Sequence, residues 1–368
     1  MTQPEPTSLA SLRQAIDAVD DQVLALLNRR AGLAAEVGRL KSEAAPESAF
    51  HVPKREREVL ARLEAANGGP FPTPAVRTIF QEIMSACLSL EKPLRVAFLG
   101  PESSFSHLAA RHQFGGSSQA LPQSTIQAVF QAVERGRADY GVVPVEHATD
   151  GAVDSTLDAF LDSPLRICAE ILLPVDQALL LRPGLDLGGV RRVYSHAQGL
   201  GQCRRWLEAH LPLADRIEAA STSEAARLAR EDGEGAAVAS ELAAALFGLR
   251  VAETRIQDLA ANATRFVVLG QASAEPTGRD RTTLLAMAQD GPGALLRLLE
   301  PLARRGLSLS HIQSHPTRKK LWEYAFFLDV EGHTEDALLA EALGELQHAC
   351  ASLKVLGSYP QAVTEGLR

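Results

Sequence analysis

Cysteine is scarce in this chain of 368 residues: only Cys87, Cys168, Cys203 and Cys350 occur, none at CxxC spacing. That excludes a disulfide framework and a zinc ribbon, and it suits buried thiols in a reducing cytoplasm. Long apolar runs are missing too, and no stretch approaches the length that spans a membrane. Basic residues are scattered and outnumbered, 37 against 45 acidic, which leaves a formal charge of −8 and excludes nucleic acid and anionic membrane as expected partners. The opening Met1-Thr2-Gln3-Pro4-Glu5-Pro6-Thr7 has neither the basic start nor the apolar core of a signal peptide, so the cytoplasm is the expected location. No His, Asp or Glu spacing suggests a metal site and no glycine-rich loop suggests a phosphate cradle. Neither metal nor cofactor is therefore expected.

What the chain does have begins with one long amphipathic segment over 8–41. Leu9, Leu12, Ile16, Val19, Val23 and Leu26 recur at spacings of three and four, and the register resumes with Leu33, Val37 and Leu40. Arg30 fills the slot between. At about 1.5 Å per residue the helix is on the order of 50 Å long, too long to be covered by one small domain, so partner helices from a second copy are expected. Arg13 and Lys41 fall near the same face as Arg30. Cations aimed at a packed side read as a pocket for a small polyanion, although a lone Arg30 could equally snorkel from a coiled-coil seam.

Helices over 54–66 and 74–90 follow, the first stopped by Asn67-Gly68-Gly69-Pro70. From Pro93 the pattern changes to strand–helix alternation, with strands over 94–99, 140–145, 167–173, 190–194, 236–239 and 266–269. This indicates α/β architecture with mainly parallel sheets, in two lobes with a cleft between. A spacer over 270–280 leads to a βαββαβ pattern: strands over 282–288, 307–314, 322–330 and 355–359, with helices after Gly293 and over 334–352. That element count matches a ferredoxin-like unit.

The helical segment carries Leu12-Arg13-x3-Asp17-x2-Asp20, Leu26-Leu27-x2-Arg30, Glu36-Val37-Gly38-x2-Lys41, Arg55-Glu56 and Glu82-Ile83-Met84-Ser85-Ala86-Cys87-Leu88-x2-Glu91. These resemble the mutase domain of bacterial bifunctional chorismate mutase–prephenate dehydratases, an intertwined helical dimer. The resemblance implies that Arg30, and Arg13 from a second subunit, grip the two carboxylates of chorismate. Lys41 and Glu91 would hydrogen-bond the ether oxygen whose bond breaks, and Glu56 would take the ring hydroxyl. A Claisen rearrangement needs only a fixed conformer and stabilised charge on that oxygen, for which arginine and lysine are suited. Many relatives place a carboxylate four residues before Glu56, where this chain has Val52.

In the α/β segment, polar clusters sit at strand–helix turns: Gly100-Pro101-x-Ser103-Ser104-Phe105-Ser106, Val143-Pro144-Val145-Glu146-His147, Tyr194-Ser195-His196-Ala197-Gln198 and Ser221-Thr222-Ser223-Glu224. Helix N-termini at such turns bind anions, while capping is the commoner role of their serines. Asn262-Ala263-Thr264-Arg265-Phe266 enters a strand. Together and in this order the clusters resemble prephenate dehydratase, a two-lobed fold like that of periplasmic binding proteins. The resemblance implies that Thr264 protonates the departing C4 hydroxyl as CO2 leaves. Ser104, His147, Gln198, Ser221, Thr222 and Arg265 would shape the cleft and hold the substrate, and His196 would be structural. Three positions depart from the family: His147 for its asparagine, Ala148 for a small hydroxyl residue, and Ser103 for glycine.

In the last segment, Gly293-Ala294-Leu295 resembles the ligand loop of an ACT regulatory domain, and Gln313-Ser314-His315-Pro316 stands where that family has Glu-Ser/Thr-Arg-Pro. The resemblance implies phenylalanine binding at these residues and inhibition of the dehydratase, or, with the charged pair lost, a domain that only dimerises. The expected organisation is a mutase domain over 8–92, a dehydratase domain over 94–271 and an ACT domain over 281–361. The expected product is a homodimer, or higher homo-oligomer, converting chorismate to prephenate and prephenate to phenylpyruvate. A non-aromatising prephenate decarboxylase and a catalytically dead amino-acid sensor are the competing readings. Buried Arg13, Arg30 and Lys41 would be a pure cost in the sensor.

Overall fold

The computed structural model describes residues 8–44, 53–91, 93–149, 151–259, 262–289, 291–318 and 323–362. These fall into two compact units, one of 1–94 with 114–119 and one of the remainder, each taken in turn. Val52 lies outside the described residues.

The first unit is helical, with α1 (Leu9–Ala44), α2 (Pro53–Ala66) and α3 (Thr73–Glu91). α3 lies against both others and buries Val76, Met84 and Cys87, with Leu60 supplied by α2. A bidentate pair, Arg77 to Glu64 at 2.7 and 2.8 Å, ties α3 to α2. On α1 the periodic residues Leu9, Leu12, Ile16, Val19, Val23, Leu26, Leu33, Val37 and Leu40 are 45–66% exposed.

The second unit opens with β1 (Arg95–Leu99), α4 (Phe105–Phe114), β2 (Gln119–Gln123), α5 (Ile126–Glu134), β3 (Tyr140–His147), β4 (Gly151–Ala152), α6 (Asp154–Asp162) and β5 (Arg166–Pro174). A second lobe runs through β6 (Ala178–Leu181), β7 (Arg192–Ser195), α7 (Ala197–Gln202), α8 (Arg204–His210), β8 (Asp215–Glu218), α9 (Thr222–Glu231), β9 (Gly235–Ala239), α10 (Glu241–Phe247) and β10 (Arg250–Glu253). β11 (Ala263–Gly270) then returns to the first lobe. The sheets have orders β2-β1-β3-β11-β5, with β4 beside β3, and β10-β6-β9-β7-β8.

Both sheets are mixed, which corrects the expectation of mainly parallel ones. β1 and β3 are parallel, but β11 runs antiparallel to β3 and to β5. β7 is parallel to β8 and β9, whereas β6 is antiparallel to β9 and β10. The cause is the double crossing between lobes. The chain leaves the first sheet at the end of β5 and returns at that same end, where Ala263 pairs with Pro174, so β11 runs back along β5. The two crossing segments are laced together: Gln177 N donates to Gln257 Oε1 (3.0 Å) and Val175 N to Asn262 O (2.9 Å).

After the spacer come β12 (Asp280–Ala288), α11 (Ala294–Arg304), β13 (Leu309–Pro316), β14 (Tyr324–Glu331), α12 (Ala337–Ala349) and β15 (Cys350–Pro360), in an antiparallel sheet of order β13-β14-β12-β15. This is the expected ferredoxin-like order. Leu298, Leu302, Leu339, Ala342 and Leu346 of its helices pack on one face. The other face lies on the first lobe: Leu285, Ala325, Phe327, Leu356 and Tyr359 share one core with Phe130, Phe160, Ile167 and Val267. Gly357 approaches Ile167 so closely that a Cβ there would overlap the Ile167 backbone.

Candidate active sites

In the helical unit the structure places Arg30 half-buried and Arg13 exposed on α1, and Glu56 half-buried in the first turn of α2. Lys41 stands near the end of α1 and Glu91 ends α3. Arg30 thus shares the stripe with apolar residues that one chain leaves open to water. An exposed apolar stripe of this length marks a surface for another helix.

In the second unit Thr264 is the second residue of β11, 3% exposed, and its register partners are His147 on β3 and Leu173 on β5. Thr264 Oγ1 lies 2.9 Å from His147 Nδ1. A bulge lets this pair meet: Arg265 faces Glu146 and Phe266 faces Pro144, so Val145 is an extra residue that re-aims the end of β3. Two residues before Thr264, Asn262 lines an open cleft of about 410 Å³. The cleft is also lined by Thr149 just beyond His147, by Gln198 and Gln202 of α7, and by Arg205 of α8. Gln202 bridges the lobes, donating to Thr149 Oγ1 at 3.4 Å while its Oε1 accepts from Gln177 at 3.1 Å.

The serine clusters meet across the lobes. Ser103 Oγ is 2.7 Å from Ser223 Oγ, Ser223 Oγ donates to Glu102 O, and Ser240 Oγ donates to Ser103 O. Ser103 has φ +69°, a conformation that glycine takes at no steric cost and that explains the family's glycine there. Its hydroxyl and its N–H, which donates to His107 Nδ1 at 3.0 Å, hold the residue in place. Burial pushes the His107 imidazole pKa below its ordinary value, and the ring stacks on Phe98 at 4.8 Å. Ser104 donates to Leu99 O and accepts from His107 N. Ser221 caps α9 through Glu224 N at 3.0 Å, with Thr222 the first helical residue, and His196 caps α7. The β1–α4 turn and the start of α9 are therefore brought together, with their serines also serving as caps.

Arg265 is turned into a buried network with the C-terminal sheet. Its Nε donates to Glu170 (3.0 Å), Nη1 to Asp329 (2.5 Å) and Nη2 to the Tyr359 hydroxyl (2.9 Å). Arg281 also pairs with Glu170, and Thr283 donates to Asp329. Burial works against the guanidinium's charge, but Tyr359, Asp329 and Glu170 outweigh it and raise the pKa. The physical reason is strand alternation: neighbouring side chains on β11 point to opposite faces, so if Thr264 faces His147, Arg265 faces the C-terminal sheet.

In the C-terminal domain Gly293 has φ +72° and precedes Ala294, the first residue of α11; Leu295 is partly exposed. Along β13, His311, Gln313 and His315 alternate towards the first lobe, with His311 and Gln313 bordering a small cavity beside Arg265, while Ser314 is exposed and Pro316 ends the strand. His315 is 1% exposed, and its Nε2 lies 2.7 Å from Asp158 on α6. Strand period two could have separated these faces in advance. Among the described residues no group of His, Cys, Asp and Glu could hold a metal ion, and no helix is long and apolar enough to cross a membrane.

Three family models match the chain: chorismate mutase type II over 12–92, prephenate dehydratase over 96–274 and the ACT domain over 282–348. A bifunctional chorismate mutase/prephenate dehydratase of Aquifex aeolicus is 46% identical over 97% of this chain and 99% of its own length. One of Stutzerimonas stutzeri is 42% identical over 98% and 99%. The solved structure of the Arthrobacter aurescens prephenate dehydratase in complex with L-Phe superposes with a TM-score of 0.67 and 36% identity. It covers 72% of this chain and 90% of that one.

Proposed function

Since the chain belongs to the bifunctional chorismate mutase/prephenate dehydratase family, we propose which of its residues carry the two reactions and how they are assembled. It is an enzyme of phenylalanine biosynthesis that rearranges chorismate to prephenate and converts prephenate to phenylpyruvate, CO2 and water.

For the second reaction Thr264 is the proton donor to the departing C4 hydroxyl. The observation that carries this is a buried hydroxyl at the head of β11, two residues from the cleft and bonded to His147. Gln198 lines the same cleft, and Ser104, Ser221 and Thr222 adjoin Ser103 and Ser223, which meet across the lobes. Thr264→Ala tests it. Dehydratase turnover should fall by about 10²-fold or more, the usual cost of losing a general acid, with mutase turnover unchanged. An unchanged rate of phenylpyruvate formation would remove Thr264 from the chemistry.

For the first reaction a second copy covers the open stripe of α1, and Arg30, with Arg13 of the second copy, takes the two carboxylates of chorismate. Lys41 and Glu91 address the ether oxygen and Glu56 the ring hydroxyl. The 45–66% exposure of nine apolar residues in one row supports the homodimer. In the C-terminal domain, phenylalanine is the ligand proposed for Gly293, Ala294, Leu295, Gln313, Ser314, His315 and Pro316. The buried, unpaired cysteines fit residence in the cytoplasm.

A further inference from the structure

A threonine hydroxyl has one proton, and that limits what Thr264 can do beside an imidazole. If Nδ1 of His147 is a bare acceptor, the 2.9 Å contact takes up the Thr264 proton and points it away from the substrate. If Nδ1 carries a proton, the contact uses an oxygen lone pair of Thr264 and leaves its O–H for the departing group. From this geometry, and resting on the assignment of Thr264 above, we infer that His147 is the source of the proton that Thr264 passes to the leaving hydroxyl.

The step balances. The Nδ1–H bond of imidazolium breaks as a new O–H bond forms on Thr264. The original Thr264 O–H bond breaks as its proton goes to the C4 oxygen, and the C4–O bond breaks with its electron pair to release water. The electrons of the bond to CO2 complete the ring. Prephenate dianion and one proton thus give phenylpyruvate monoanion, CO2 and water, and His147 is left neutral. Thr264 never has to stand as an alkoxide, which a buried aliphatic alcohol could not sustain. The ring is half-buried, two residues before Thr149 of the cleft, and regains its proton between turnovers.

Several described charged groups lie on the elements around this ring. On its own strand Glu146 is turned to the opposite face, 3.8 Å from His311. On β11, Arg265 is turned away into its pairs with Glu170 and Asp329. β4 offers Gly151 and Ala152, and α6 offers Asp154, which sits 3.7 Å from His315. Across the cleft stand Arg205 and Asp258, and the substrate brings two carboxylates.

The test is dehydratase kcat from pH 5.5 to 9 for the wild type, His147→Asn and His147→Ala, with thermal melting of each variant as the fold control. Wild-type kcat should fall about tenfold per pH unit above a single ionisation that the His147 variants lack. His147→Asn, whose amide keeps a hydrogen bond but has no proton to pass on, should turn over about 10-fold or more slowly at pH 6 and be flat across that range. His147→Ala should lose about 10- to 100-fold at pH 6, with KM for prephenate little changed. Superimposable profiles for the wild type and His147→Asn, or full turnover in His147→Ala, would overturn the relay. A failure of the Thr264 assignment would be recognised separately, by turnover that survives in Thr264→Ala.

Discussion

Replacing Arg265 with alanine distinguishes two roles for one motif residue. In the structure the guanidinium holds three partners, Glu170, Asp329 and Tyr359, with the arginine side chain 14% exposed and the carboxylates 4 and 5%. Glu170 would keep Arg281 and the Ala362 N–H, whereas the side chain of Asp329 would keep the neutral Thr283 hydroxyl but lose its arginine. Leaving a buried carboxylate without its cation costs about 3–5 kcal/mol. For a unit of this size each kcal/mol moves Tm by about 2–4 °C, so the transition of the second unit should drop by about 6–20 °C. Arg265→Lys should fall between, since an ammonium keeps the charge but cannot span three partners. The double change Arg265→Met/Asp329→Leu should recover much of the loss, because it removes the stranded charge. Differential scanning calorimetry read beside prephenate KM decides the matter. If Arg265→Ala melts within about 1 °C of the wild type while KM climbs steeply, the arginine grips substrate and the buried network is not what holds it.

Two further outcomes follow from shifted pKa values. His107 is held below its ordinary pKa by burial, so folding favours its neutral form; its contribution is full above about pH 6.5 and is lost as pH falls through that value to the lower folded one. The Tm gap between the wild type and His107→Gln should therefore shrink between pH 7.5 and 5, and a gap that stays constant would refute this. Burial pushes the thiols of Cys168 and Cys203 up to about 12, so neither should react with iodoacetamide at pH 8 in the native protein, whereas both should in denaturant.

Much of the architecture was legible because it rests on local periodicity. The three–four spacing of α1 and the apolar runs of β3, β5 and β11 each announce an element within a few residues. β2 was not visible, since Gln119-Ala120-Leu121-Pro122-Gln123 is a polar edge strand with a proline. β6 is four buried apolar residues between two loops, a run too short for periodicity to assign. Strand direction was lost because it depends on where the chain re-enters a sheet, which no local window records. In the site, Thr264 was legible from its company and its contact with His147 was not, since the Val145 bulge that aims them at each other leaves no periodic trace. The fate of Arg265 had a signal: Glu170 is a lone acid in the apolar strand Arg166–Pro174, and such a residue asks for a buried cation.

The core that runs beneath the C-terminal sheet bears on how such a gene can be cut or recombined. A chain stopped at residue 279 would strip the cover from Phe130, Phe160, Ile167 and Val267 and leave Glu170 and Arg265 without their partners across the seam. The linker that looks like a border between modules is thus a poor breakpoint, and a truncated product would be prone to aggregation and proteolysis. The regulatory-type domain has become structurally indispensable to the part it adjoins. A lineage could discard whatever ligand the domain binds without being able to discard the domain.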